Sequence, residues 1–203
     1  TMERVNPRAN NSFDYVVQHG QALSAANSAF DSCGRMAVTN GTIKMTNYPV
    51  VIWAAGAELV NTIDSTAQNL ITAFLSTGGG LFVSGSEIAG NLGRASSPAA
   101  SKTFLQNRLH ATLASDAHTN SGSYTVTAVG GAIFSGIASA TIDNGTKGIY
   151  WVKSPEVLTP AGIGALGALN YSGGLGGASA IQYDGSAGGG RVVYFGFPFE
   201  TIS

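Results

Sequence analysis

Apolar residues recur at helical spacing through residues 12–28 (SFDYVVQHGQALSAANS), where Phe13, Val16, Val17, Leu23 and Ala26 share a stripe. Ser12 stands where an N-cap is needed, so the pattern predicts a helix. Residues 50–55 (VVIWAA) are apolar without a break, as expected of a strand covered on both faces. Residues 65–77 return to helical spacing, with Ala67, Leu70, Ile71, Phe74 and Leu75 on one side and Asp64 or Ser65 as the cap. Gly78, Gly79 and Gly80 end that helix, and Leu81, Phe82 and Val83 begin the next apolar strand. Strand, helix, glycine turn and strand together predict a βαβ unit.

Beyond Val83 the chain runs through SGSEIAGNLG and a polar linker to a helix predicted near residues 101–109. From about 111 to 153 the period changes to two. Residues 123–129 (SYTVTAV) alternate polar and apolar, as in a half-exposed antiparallel strand, and Asn144-Gly145 signals a hairpin turn. This stretch reads as a β-rich extension of the same domain. Residues 178–183 (ASAIQY) and 191–195 (RVVYF) predict two more strands, and the short glycine-rich DGSAGGG between them makes them an antiparallel hairpin.

Composition narrows the function classes. At 203 residues the chain fits a single domain, 1–203, with room for a core that needs no disulfide or metal. Ten Lys and Arg against eleven Asp and Glu give a net charge of −1, which provides no basic footprint for nucleic acid and no polybasic membrane anchor. No apolar run approaches the ~18 residues of a membrane span. Charged residues are only 10% of the total, so the surface is built from Ser, Thr, Asn and Gly, a composition that suits an extracellular bacterial protein. The single cysteine, Cys33, excludes an intrachain disulfide and reads as a small, partly buried thiol.

The segments YPVVIWAAGAE, LITAFLSTGGGLFVSGSE and GRVVYFGFPFE resemble the class I glutamine-amidotransferase-like (flavodoxin-like) superfamily. More closely, they resemble its accessory-type domains in secreted bacterial multidomain proteins of cell-wall amidase and polysaccharide-degrading contexts. The similarity runs from Val5 to Ile202 and is most specific at FDYVVQHGQAL, GGGLFVSGSEI and VVYFGFPFETI. It implies a three-layer α/β domain with a mostly parallel sheet, here carrying an antiparallel extension in its second half. It also implies a cysteine nucleophile at the turn after Leu81–Val83 and a His-Pro-Glu run after the last strand. Here the turn reads Ser84-Gly85-Ser86-Glu87, Phe197 stands at the histidine position, and Glu200 is displaced by one. Phenylalanine accepts no proton, so glutaminase chemistry is not expected. The resemblance further implies an opening buried strand, yet only eleven mostly polar residues precede Ser12. The expectation is a chain lacking its first strand, or one that receives it from another chain.

Candidate chemistry gathers at the carboxyl ends of the parallel strands, where open α/β sheets place their sites. Glu58, Glu87 and Glu200 map there. If they converge they offer a hard-cation site for Ca²⁺ or Mg²⁺, or an acid–base pair for a glycoside. Taken singly, each is a cap for a helix or loop amide. Ser86 is the candidate nucleophile, with Glu87 beside it and His110 as its base; His19 falls mid-helix and His118 in a polar loop. Tyr150 and Trp151 are expected as an exposed aromatic pair that a sugar ring would cover. The reading is a non-catalytic accessory, binding or assembly module, with no metal or cofactor required. Its expected partners are other domains of a larger secreted protein, other copies of the chain, or a glycan. Two alternatives stay open: a serine or carboxylate hydrolase, and a self-assembling extracellular subunit.

Overall fold

The computed structural model describes residues 2–3, 15–116 and 124–203. Among the described residues, eleven strands form one sheet. β3 (Val50–Gly56), α3 (Ser65–Ser76) and β4 (Gly80–Gly85) make the βαβ unit that the apolar pattern predicts, with β3 and β4 parallel neighbours. Asp64 caps α3 by accepting from the Ala67 N–H at 2.9 Å. β11 (Arg191–Phe195) lies parallel on the other side of β4.

β1 (Met2–Glu3) is the strand that the sequence was expected to lack. It pairs in parallel with both β2 (Cys33–Gly34) and β3, setting Met2 against Cys33 and Trp53. The chain's own residues therefore occupy the slot. The predicted first helix is α1 (Tyr15–Ala25), and its predicted cap, Ser12, lies outside the described residues; the short α2 (Arg35–Thr39) follows β2.

The expected three-layer, mostly parallel α/β arrangement does not form. Beyond β11 the sheet runs antiparallel through β10 (Ala178–Tyr183), β9 (Ala165–Tyr171), β6 (Thr125–Ala128) and β7 (Ser139–Thr141). A further antiparallel pair, β5 (Ala111–Ser115) and β8 (Val157–Pro160), joins through β10. The physical reason is loop length. A parallel crossover takes about a dozen residues or more, and the seven-residue DGSAGGG connection between β10 and β11 only turns the chain back. The result is a mixed, curled, predominantly β sheet with few helices. Asn144-Gly145 makes no hairpin between strands. The Asp143 carboxylate instead gathers the N–H groups of Gly145, Lys147 and Ile149 and shapes the loop around itself.

The central strands send alternate residues to two cores. Trp53, Leu81, Val83 and Tyr194 pack under α3, α4 (Ile88–Gly93) and α5 (Ala99–Arg108). Phe82 points the other way, to Phe195, Phe197 and Tyr171. At the far end of β4 the turns run so close that a β-carbon on Gly190 would strike the Gly79 carbonyl, and one on Gly79 would strike the Phe74 ring.

Candidate functional site

The carboxyl end of the parallel strands carries most of the predicted residues, but it is sealed. Ser86 follows β4, donates its N–H to the Gly56 carbonyl at 3.0 Å, and is 3% exposed. No hydrogen bond joins its hydroxyl to a histidine among the described residues. His110 is not its neighbour. The His110 ring stacks on Tyr183, with centroids 3.7 Å apart, and Tyr183 is level with Val192, which is level with Leu81 at the start of β4. Ser86 lies past the opposite end, roughly 16 Å along the strand at ~3.3 Å per residue. Burial lowers the His110 pKa. His118 lies outside the described residues.

The three glutamates separate into different environments. Glu58 is buried after β3. Glu87 is buried at the start of α4 but makes no capping hydrogen bond with its side chain. Its carboxylate instead takes Arg94 Nη2 at 3.2 Å, and the same guanidinium holds Asp116 at 2.6 Å. Glu200 accepts from the Tyr150 hydroxyl at 2.5 Å through Oε1, and its Oε2 faces His19 Nε2 at 3.7 Å. The His19 ring in turn packs tilted against Phe199, with centroids 4.7 Å apart. No group of three His, Cys, Asp or Glu side chains among the described residues is placed to hold a cation.

The cap for α4 comes from a residue that the sequence does not single out. Glu156, just ahead of β8, is fully buried and accepts from the Ala89 N–H at 3.0 Å, from the Gly90 N–H and from the Tyr194 hydroxyl at 2.7 Å. Burial pushes its pKa up to about 8 despite the donors from Tyr194, Gly90 and Ala89, and the nearby Glu87 adds to the rise. Gly90 makes room for both acids. A β-carbon there would stand 3.3 Å from a Glu156 oxygen and 3.4 Å from a Glu87 oxygen.

Tyr150 and Trp151 do not form an exposed pair. Tyr150 is buried on Glu200, whereas Trp151 is half-exposed and donates its indole N–H to the Tyr124 hydroxyl at 2.8 Å. The Lys153 ammonium lies 5.4 Å from the Trp151 ring centre.

No protein-family model matches the sequence, and no curated protein is similar to it in sequence. Likeness appears among solved structures. A β-galactosidase from Bacillus circulans sp. alkalophilus matches 98% of this chain with 29% of its own, at 12% identity and a TM-score of 0.63. The cold-adapted β-galactosidase from Rahnella sp. R3 matches 96% with 28% of its own, at 16% identity and a TM-score of 0.58. The N-terminal domain of mmIFT52 matches the whole chain with 88% of its own, at 12% identity and a TM-score of 0.56. At these identities the likeness concerns the fold. This chain thus spans under a third of the length of those β-galactosidases. None of the three is a glutamine amidotransferase, and together with the mixed sheet they correct the amidotransferase-like, flavodoxin-like resemblance drawn from the sequence motifs.

Proposed function

We propose that the chain is a non-catalytic accessory module, a folded unit that binds or assembles with other parts of a larger protein. The observation that carries this reading is burial. Ser86, Glu58, Glu87, Glu156, Glu200 and His19 are all closed off from solvent, so no substrate reaches a hydroxyl or carboxyl group among them. Their hydrogen bonds and ion pairs join one chain segment to another, which is structural work. The similar β-galactosidases support the reading from outside, because in them the matching fold is a minor part of a much longer chain.

The competing hydrolase reading has one feature in its favour. Glu87 and Glu156 flank Gly90 with unequal environments, one paired to Arg94 and the other pushed up to about 8. The test therefore offers the purified chain aryl esters, anilides and aryl β-galactosides. No turnover above buffer is expected. Turnover that disappears in Ser86→Ala or Glu87→Gln, with the circular dichroism of the fold unchanged, overturns the proposal.

A further inference from the structure

A roomy cavity bordered by described residues lies away from the sealed carboxyl end, beside the first residues of β3 and under the segment that follows α1. It has a volume of about 340 Å³, far above the ~10–15 Å³ that admits one water and within the ~300–1,000 Å³ usual for small-molecule sites. Leu23, Val38, Ile43, Met45 and Val51 make its body apolar, and Phe30 and Tyr48 add aromatic walls. Phe30 is 42% exposed yet held in place, because its ring sits 2.8 Å from where a β-carbon on Gly20 would stand. A mid-helix glycine costs about 1 kcal/mol against alanine, and here it makes the room that seats Phe30 on α1. Among the described lining side chains one is charged: Asp31, whose carboxylate accepts from the Tyr48 hydroxyl at 2.9 Å.

We propose that this cavity is a binding site for a small cationic amphiphile, with its hydrocarbon body among Val38, Ile43, Met45 and Val51 and its ammonium head against Asp31 at the polar end. Apolar burial supplies the affinity, and the sign of Asp31 supplies the selection, since it repels an anionic head on the same hydrocarbon. The site is independent of the accessory-module reading, because none of its lining residues belongs to the carboxyl-end group.

The chain carries its own reporter. Cys33 is the one cysteine in the sequence and lines the cavity. Burial raises its thiol pKa, so alkylation is slow and its rate is sensitive to what occupies the space beside it. The experiment measures the rate of Cys33 alkylation by N-ethylmaleimide in rising concentrations of octylammonium, octanol or octanoate, with isothermal calorimetry in parallel. Saturable protection by octylammonium is expected, at a concentration about tenfold lower than octanoate needs. Asp31→Asn brings octylammonium to the level of octanol and leaves octanol unchanged. Ile43→Trp, which fills the cavity, abolishes protection by all three. Absence of saturable protection, equal binding of octanoate and octylammonium, or binding that survives Ile43→Trp overturns the proposal.

Discussion

The two ends of β3 and β4 solve the problem of polar groups in opposite ways. At the carboxyl end, Glu156, Tyr194, Glu87, Arg94, Glu200 and Tyr150 spend hydrogen bonds and charges on one another, on Asp116 and on backbone amides. Near the amino end of β3, apolar side chains surround an open volume, and the polar groups stand at its border. The contrast teaches that a constellation of acids after parallel strands is not by itself an active site. Closure and accessibility decide which of the two ends can meet a ligand.

The sharpest way to break this contrast is to remove the buried knot. Glu156→Ala leaves the Ala89 and Gly90 N–H groups and the Tyr194 hydroxyl without their acceptor and opens a void, so a loss of about 3–5 kcal/mol is expected in denaturant unfolding. A loss under about 1 kcal/mol would mean that the knot holds little.

The second test uses protons. The folded pKa of Glu156 stands at about 8, above the ordinary 4.5 that applies when the chain is unfolded. Between those values the folded protein keeps a proton that the unfolded chain has released. The stabilising contribution is therefore complete below the lower value and fades as pH rises, by roughly 1.4 kcal/mol per pH unit, levelling off above the upper one. Stability measured from pH 5 to pH 8 should fall along this slope, and Glu156→Gln should flatten it. An unchanged slope in that variant would assign the dependence to another group.

A smaller effect is expected where one donor is lost. Tyr150→Phe removes the hydroxyl that serves buried Glu200 and should cost about 1–3 kcal/mol by thermal or chemical unfolding. By contrast, Ile43→Trp at the cavity should shift stability by less than about 1 kcal/mol, because it fills space instead of removing a partner.

Local periodicity was readable wherever short-range rules govern. Val50 to Val83 announced β3, α3 and β4, down to the Asp64 cap, because each signal lies within a few residues of its effect. The composition of the whole sheet was not readable in the same way. The β10–β11 hairpin was legible from its short loop, but strand pairing elsewhere depends on which distant strands meet, and the antiparallel joins of β10 to β9 and β8 and of β9 to β6 left no local signal. The candidate site failed for a related reason. Glu156 sits in KSPEVLTP with no motif around it, and its partners are 38 to 67 residues away in the chain. His19 did leave a signal: with Val16 three residues before it and Leu23 four after, it lies on the inward stripe of α1. Glu87 was placed at the correct helix start but given a capping role that another segment performs.

The close passage of Gly79 and Gly190 also has a consequence for sequence drift. Each turn forbids a side chain because of what stands against it: at Gly79 the Phe74 ring of the helix just before it, and at Gly190 the Gly79 carbonyl, so an amino-acid exchange at Gly190 is vetoed by a segment far away in the gene. What looks like repetitive, permissive filler in GGG and AGGG is, at these two codons, among the least negotiable text in the chain.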